Sequence, residues 1–455
     1  MIKLTNLSGA NEIGSNSYLL EIDNSRIVLD AGMHPKKEGN AAKPQYQLIG
    51  DDSPDTIFIT HAHLDHIGTL PVVQELYPNA EVIMTPGTAM VGEGMLHNSV
   101  NVMTSKRTND GVVEYPFFTH GELDNATLSW MSHDYNEYFR VGRKREILAN
   151  LRDAGHILGS CGVQLESQSG TTFFYTGDVQ FSNQTLIPGA SFPEEGIDIL
   201  MMECTHGATP SDEDYNRKKE LLAMAKVIRE TLENNGAVLI PVFALGKSQE
   251  LLYELGRFRD EGIIPNAPIY FGGLSTKVTI YYDKLADSTP RLKPGYRLRQ
   301  SIKTQGLPKQ GKAPLIASAG NIYLVSSGMM SEHTVSNVLA SQVLPRKNDT
   351  IIFVGYSDPD SPAAWIKATK AGDLVRLKAK GGQAYPVNCR IEQFSFSGHA
   401  TRDALLEYTA RLAPKKVLLV HGDPAALDWM AQSISNILPE TEVIIPEAGK
   451  TIELD

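Results

Sequence analysis

The sequence contains few cysteines and no long hydrophobic run. Its three cysteines, Cys161, Cys204 and Cys389, are too few and too far apart for a disulfide framework or a cysteine-based zinc knuckle, and they fit a reducing compartment. No stretch approaches the roughly 18 apolar residues of a transmembrane helix, and the N-terminal residues lack the apolar core of a signal peptide. The sequence therefore predicts a cytoplasmic protein that does not associate with a membrane.

An excess of positive charge is also absent. The 455 residues include 42 Lys and Arg against 53 Asp and Glu, which gives a net charge of −11. Such a charge argues against a surface with general affinity for nucleic acid, but it leaves room for a local basic groove. Cations are concentrated between Arg291 and Lys312, a segment without an acidic residue. A solvated surface loop and a nucleic-acid contact are both compatible with this segment.

The arrangement of apolar residues predicts an α/β protein. The length allows about two or three domains, and a hydrophobic fraction of 42% is enough for a substantial core. The first two hundred residues consist of short strand patterns between polar turns, beginning with a hairpin over residues 17–30. Residues 217–234 and 246–258 then have apolar residues at helical spacing, with a strand pattern between them. This alternation is typical of a parallel α/β unit.

The segment His61-Ala62-His63-Leu64-Asp65-His66 is the strongest chemical signal, and it directly follows a predicted strand over residues 57–60. Neutral imidazoles and carboxylates are preferred ligands of zinc-like metals. Three histidines and one aspartate on a turn that leaves a strand can face two metal ions a few ångströms apart. An exposed histidine-rich loop and the start of a helix are the plain structural alternatives.

Three residues further along the chain can complete such a ligand set. His156 lies in a glycine-rich turn, Asp178 follows a strand pattern, and His421 ends a strand pattern near the C-terminus. A carboxylate at the position of Asp178 could bridge two metal ions. Each residue alone is more often an ordinary turn residue, but together and in this order they favour a metal centre.

These motifs resemble the β-CASP family of the metallo-β-lactamase superfamily, RNA-processing nucleases that include bacterial RNase J and the cleavage subunit of the mRNA 3′-end machinery. The resemblance covers nearly the whole chain. Asp30 matches the first motif, a carboxylate that orients a metal-binding histidine. The second motif is matched by His61, His63, Asp65 and His66, the third by His156 and the fourth by Asp178. Motif A is matched by Glu203, motif B by His399 and motif C by His421.

The resemblance implies an αββα metallo-β-lactamase sandwich built from residues 1–208 and 374–455, with an inserted α/β β-CASP domain over residues 209–373. It also implies two zinc ions per chain, one held by His61, His63 and His156 and the other by Asp65, His66 and His421, with Asp178 as the bridge. The predicted function is a zinc-dependent ribonuclease that hydrolyses phosphodiester bonds through a metal-activated water. The predicted catalytic residues are Asp65, Asp178, Glu203 and His399.

The predicted partner is RNA, single-stranded in preference to duplex, and a homodimer is left open. The residues predicted to contact substrate are Lys247, Ser327, Gly328, Arg297 and Arg299.

Several positions near the substrate side depart from the family pattern. His206 stands where the family usually has tyrosine, and residues 329–333 and 357–362 replace loops that the family uses on the substrate side. In the second loop, Asp358 and Asp360 would repel a nucleic-acid backbone. A metallo-β-lactamase-fold hydrolase of a small-molecule ester or phosphodiester, not acting on RNA, is therefore the alternative function. The inserted domain counts against it, and the complete ligand set counts against a non-catalytic scaffold.

Overall fold

The fold is known from a computed structural model that describes residues 2–212, 214–308, 314–378 and 381–454. The chain forms two units: the first contains residues 1–183, 187–211 and 399–455, and the second contains residues 184–186 and 212–398. Among the described residues, no helix combines the length and the apolar character that crossing a bilayer would need.

The first unit contains two sheets, each seven-stranded over the described residues. In spatial order, one sheet consists of β21 (Thr451–Glu453), β1 (Ile2–Asn6), β2 (Tyr18–Ile22), β3 (Ser25–Leu29), β4 (Thr56–Phe58), β5 (Glu81–Met84) and β6 (Trp130–Ser132). The other consists of β20 (Glu442–Ile444), β19 (Lys416–Val420), β11 (Ile199–Glu203), β10 (Thr172–Tyr175), β9 (Cys161–Glu166), β8 (Ile147–Asp153) and β7 (Tyr138–Val141).

The two sheets pack face to face, because alternate residues of their strands share one apolar cluster that includes Leu20, Leu29, Tyr175 and Leu418. The outer face of the first sheet is covered by α1 (Leu64–Ile67), α2 (Leu70–Leu76), α3 (Pro86–Asp110) and α4 (His120–Thr127). The outer face of the second is covered by α11 (Arg402–Leu412) and α12 (Pro424–Ile437). Four layers in the order αββα result, which confirms the predicted sandwich.

The second unit is a parallel α/β domain. Its main sheet contains, in spatial order, β13 (Ile269–Phe271), β14 (Ile322–Val325), β12 (Val238–Pro241), β15 (Thr350–Phe353) and β18 (Arg390–Gln393), and every neighbouring pair is parallel. The short strands β16 (Leu374–Arg376) and β17 (Ala384–Pro386) form an antiparallel pair. The helices are α5 (Arg217–Glu233), α6 (Lys247–Asp260), α7 (Leu274–Lys284), α8 (Leu298–Ser301), α9 (Val335–Val343) and α10 (Pro362–Lys367).

Local sequence explains the first helix of this unit. The side chain of Asn216 accepts a hydrogen bond from the backbone N–H of Lys219 and caps α5. Leu221, Ile228 and Leu232 recur at helical spacing and are buried. Both helices predicted over residues 217–234 and 246–258 are present as α5 and α6.

The structure differs from the predicted domain boundaries at the return to the sandwich. Residues 374–398 were expected in the metallo-β-lactamase part, but they belong to the second unit, and the chain re-enters the first unit at His399. The physical reason is strand pairing: β18 hydrogen-bonds along its whole length to β15, with Thr350 opposite Arg390 and Phe353 opposite Gln393.

Candidate metal centre

Strand ends from both sheets place the predicted metal ligands at one edge of the sandwich. The segment from His61 to His66, which ends within α1, follows β4, Asp178 follows β10, and His421 follows β19. His156 lies in the turn between β8 and β9, which Ser160 closes by accepting the backbone N–H of His156 at 3.1 Å. Since the carboxyl ends of parallel strands meet at the same edge of a sheet, residues far apart in sequence converge here.

Asp178 lies at the centre of this convergence, and its two oxygens face different imidazoles. Oδ2 is 3.4 Å from His61 Nε2 and 3.7 Å from His156 Nε2. Oδ1 is 3.4 Å from His66 Nε2 and 3.2 Å from His421 Nδ1. One buried carboxylate therefore joins two groups of donor atoms.

The donor atoms fall into two groups whose members lie within 4.8 Å of one another. The first group is His61, His63, His156 and Asp178, and the second is Asp65, His66 and His421. Within the first, His63 Nδ1 is 3.1 Å from His156 Nε2. Within the second, Asp65 Oδ2 is 3.4 Å from His421 Nε2. This grouping coincides with the two ligand sets that the resemblance implies.

Two buried atoms of the centre support a metal ion as the missing partner. His61 Nε2 and Asp178 Oδ1 are inaccessible to solvent and have no hydrogen-bond partner. An unsatisfied buried polar atom costs about 1–3 kcal/mol, and metal coordination would satisfy both. Imidazole nitrogen and carboxylate oxygen are also the donors that zinc and similar divalent metals take in proteins. The residues present therefore fit a divalent metal.

The electrostatics of the first group, His61, His63, His156 and Asp178, suit coordination. Burial lowers the pKa of His63 to about 3, with the neighbouring His61 as a further cause, so this imidazole is neutral at pH 7. Burial also lowers the pKa values of His61 and His156. Burial alone would raise the pKa of Asp178, but the imidazoles of His421, His66 and His61 outweigh it and hold that pKa well below its ordinary value. Neutral imidazoles and an ionised carboxylate are the forms that bind metal.

Asp30 orients one of the ligands, as the sequence predicts. It is completely buried and its Oδ2 accepts the Nδ1–H of His66 at 2.7 Å, which directs Nε2 of that ring toward Asp178. The backbone at Asp30 has φ +62°, a left-handed conformation that aspartate tolerates better than most residues. The chain thereby turns sharply out of β3 and points the carboxylate under the metal centre.

Glu203 and His399 form a third group with Asp178. Nδ1 of His399 lies 3.0 Å and 3.1 Å from the two carboxylate oxygens of Glu203. Glu203 is 1% exposed and also accepts the backbone N–H of Val179 at 2.7 Å. Burial disfavours the charged imidazole, but the carboxylate of Glu203 outweighs burial and raises the pKa of His399 to about 9. His399 is therefore held protonated beside the metal centre at neutral pH.

The residues predicted to contact substrate lie in the second unit. Lys247 begins α6, is partly buried, and donates its ammonium to the carbonyl oxygen of Phe396. The side chain of Ser327 accepts the backbone N–H of Met329 at 3.1 Å, and Gly328 approaches the backbone of Phe243.

The two arginines in that set differ in their surroundings. Arg297 forms an ion pair with Asp287, and its Nη1 donates to the carbonyl oxygen of Gly295 at 3.1 Å. The side chain of Arg299 is exposed. Of the basic segment from Arg291 to Lys312, Lys309 and Lys312 lie outside the described residues.

Two contacts of the metal centre were not predicted. The hydroxyl of Thr205 lies 2.9 Å from Nδ1 of His421, and the amide of Asn16 lies 3.3 Å from Nε2 of His66. Thr205 follows Glu203 by two residues, so its position beside a predicted motif is the only signal that the sequence offers. Asn16 has no such signal, because its partner is fifty residues away.

Three family models match the chain. The metallo-beta-lactamase superfamily matches residues 10–206, the Beta-Casp domain matches residues 248–366, and the Zn-dependent metallo-hydrolase RNA specificity domain matches residues 384–446. The first and last matches carry the residues of the metal centre, and the middle one lies within the second unit.

Several curated proteins are similar over nearly the whole chain. Cleavage and polyadenylation specificity factor subunit 3-II of Arabidopsis thaliana is 26% identical over 98% of this chain, which spans 71% of that protein. Endoribonuclease ysh1 of Schizosaccharomyces pombe is 26% identical over 96% of this chain, which spans 56% of that protein. Transcription termination factor FttA of Methanothermobacter thermautotrophicus is 27% identical over 95% of this chain and 69% of its own length.

Among solved structures, a crystal structure of a protein of unknown function from Enterococcus faecalis V583 aligns over 100% of both chains. The TM-score is 0.57 and the sequence identity is 15%, so this likeness concerns the fold alone.

Proposed function

The chain belongs to the β-CASP family of the metallo-β-lactamase superfamily, and from this premise we propose that the protein is a metal-dependent ribonuclease that hydrolyses phosphodiester bonds of RNA. The observation that carries the proposal is the position of Asp178, with one oxygen toward His61 and His156 and the other toward His66 and His421. A carboxylate so placed is suited to bridge two cations, the arrangement used in two-metal phosphodiester hydrolysis.

We assign two zinc ions per chain to the two groups of donors. The first is assigned to His61, His63 and His156, the second to Asp65, His66 and His421, and Asp178 is shared. When bound, a pair of divalent cations makes a water molecule more acidic near neutral pH and neutralises the charge that develops on the phosphodiester.

The leaving oxygen needs a proton, and His399 is the residue assigned to supply it. Glu203 accepts the Nδ1–H of His399, so the proton on Nε2 is the one that can be donated. General acid catalysis of this kind contributes about 10²–10⁴-fold to the rate. Glu203 acts through His399, because its carboxylate keeps the imidazole protonated and fixes its rotation.

RNA is favoured over a small molecule as the substrate by two findings. Residues 384–446 match a domain described as an RNA specificity domain, and similar proteins include an endoribonuclease. Single-stranded RNA is the preferred form in this proposal, with Lys247, Ser327, Gly328, Arg297 and Arg299 as its assigned contacts in the second unit. An insert of this size is also more than a small ester or phosphodiester would need.

The test compares four labelled substrates: a single-stranded RNA, its duplex, single-stranded DNA of the same sequence, and a generic small phosphodiester. We expect zinc-dependent cleavage of the single-stranded RNA, loss of cleavage on chelation, and its return when zinc is restored. Asp178→Ala, purified in the same way, excludes a contaminating ribonuclease. Hydrolysis of the small phosphodiester without cleavage of RNA would favour the alternative function, and full activity of a verified metal-free preparation would refute the metal assignment.

A further inference from the structure

A tyrosine in the core of the sandwich touches the carboxylate that orients His66. Tyr175, the last residue of β10, is 1% exposed, and its hydroxyl donates to Oδ2 of Asp30 at 2.9 Å. The same oxygen accepts the Nδ1–H of His66 at 2.7 Å. Thr60 supplies the remaining donors, from its backbone N–H to Oδ1 and from its hydroxyl to both oxygens.

This hydrogen bond joins the two sheets directly beneath the metal centre. Asp30 and His66 follow strands of the first sheet, whereas Tyr175 ends a strand of the second. Three residues after Tyr175, the same strand end carries Asp178, whose Oδ1 lies 3.4 Å from Nε2 of His66. Because the two residues belong to different sheets, the distance between Asp178 and His66 depends on the spacing of the sheets.

Apolar packing alone does not set that spacing as sharply as a hydrogen bond. The ring of Tyr175 packs in the shared core, edge-on to Tyr18 with ring centroids 6.0 Å apart. Dispersion contacts of this kind tolerate shifts of a few tenths of an ångström, whereas a charge-assisted O–H···O bond is strongly distance-dependent. The hydroxyl of Tyr175 therefore fixes the spacing of the two sheets more tightly than its ring does.

We propose that Tyr175 is a positioning residue of the metal centre, which fixes His66 of one sheet against Asp178 of the other through Asp30. The inference rests on the proposed metal centre, but it does not depend on RNA being the substrate. Partners that orient metal ligands from outside the coordination sphere typically change metal affinity by about 10–100-fold when they are removed.

The test is a zinc competition titration of metal-free protein against a chromophoric chelator. Tyr175→Phe keeps the ring in the core and removes only the hydroxyl, and we expect zinc binding at one of the two sites to weaken by about 10–100-fold. Tyr408→Phe is the matched control, because its buried hydroxyl donates at 3.0 Å to the carbonyl oxygen of Pro193 in the same unit. This control should bind zinc like the unaltered protein.

A double-variant cycle separates positioning from a general loss of stability. If Tyr175 acts through Asp30, adding Tyr175→Phe to Asp30→Asn should weaken zinc binding much less than it does alone. Wild-type zinc affinity in Tyr175→Phe, or equal effects in both backgrounds, would overturn the inference. Failure of the unaltered protein to bind zinc would instead refute the proposed metal centre, so the two failures are distinguishable.

Discussion

The single carboxylate of Asp178 faces both groups of imidazoles, so its removal should affect both proposed ions. We expect purified wild-type protein to contain about two zinc ions per chain, His156→Ala and His421→Ala to lose about one each, and Asp178→Ala to retain less than one. The core strands do not depend on these side chains, so the fold should persist. Elemental analysis of zinc against protein concentration provides the measurement, and equal retention in all three variants would contradict the bridging role.

His399 offers a test of the chemistry that is separate from metal binding. His399→Ala should lower the rate of RNA cleavage by about 10²–10⁴-fold and leave the zinc content intact. A fall of zinc together with activity would identify His399 as a ligand instead.

The pair of Glu203 and His399 also predicts a pH dependence. Because Glu203 raises the pKa of His399 to about 9, the acid form is present below that pH and is lost as the pH rises through it. The rate should therefore decline on the alkaline side near pH 9. Glu203→Gln removes the stabilising charge and should shift this decline to lower pH. If the rate of Glu203→Gln declined at the same pH as that of the unaltered protein, this would argue against proton donation by His399.

At the scale of elements, the segment that follows β3 packs backbone against backbone with α1, which carries Asp65. A Cβ atom at Gly32 would lie 1.8 Å from the carbonyl oxygen of Asp65. Gly32→Ala should therefore displace α1 and the ligands on it, lower the free energy of unfolding by about 1–3 kcal/mol, and reduce zinc content. Thermal unfolding and elemental analysis measure both effects.

Gly121 provides a control of opposite sign. It lies in α4 with nothing within 4 Å of an added Cβ atom. Gly121→Ala should stabilise the protein by about 0.5–1 kcal/mol, because alanine loses less backbone entropy in a helix. Destabilisation by Gly121→Ala comparable to that of Gly32→Ala would show that close packing at Gly32 is not the cause.

The basic segment predicts a graded effect on RNA binding. Arg299 and Lys303 are exposed, whereas Arg297 is already paired with Asp287. Each lost contact to a phosphate of single-stranded nucleic acid removes about 0.7 from the slope of log affinity against log salt. We expect Arg299→Gln and Lys303→Gln to reduce the slope more than Arg297→Gln does. Titrations of a fluorescent RNA at several salt concentrations measure this slope, and unchanged slopes would identify the segment as a solvated surface without an RNA contact.

At the scale of the whole molecule, all donors of the metal centre lie in the first unit, and the second unit has its own apolar core. A ligand that binds only the folded state stabilises it by about 4 kcal/mol at a thousandfold excess over Kd. Zinc should therefore slow amide hydrogen exchange in β4 and β19 and leave β12 and β15 little changed. Equal protection of both units would show that the metal stabilises the chain as one cooperative body.

The αββα sandwich followed from the family that the motifs resemble. Sequence predicted the convergence of the ligands because the signals are local: a histidine motif after a strand, and single histidines and aspartates at strand ends. It misplaced residues 374–398 because β18 is a short strand whose pairing with β15 is a tertiary contact that periodicity does not encode. Tyr175 gave no signal for the same reason, since its partner Asp30 is 145 residues away. The roles assigned to the individual site residues stay predictions.

The position of β19 between β11 and β20 has a consequence for how the protein is made. A ribosome delivers every donor of the first group, the last being Asp178, long before it reaches His421, and β19 can insert only after the whole second unit has been synthesised. A nascent or prematurely terminated chain that ends before residue 399 therefore lacks both His399 and the final imidazole of the second group. The order of translation therefore makes the second group of donors the last to be completed.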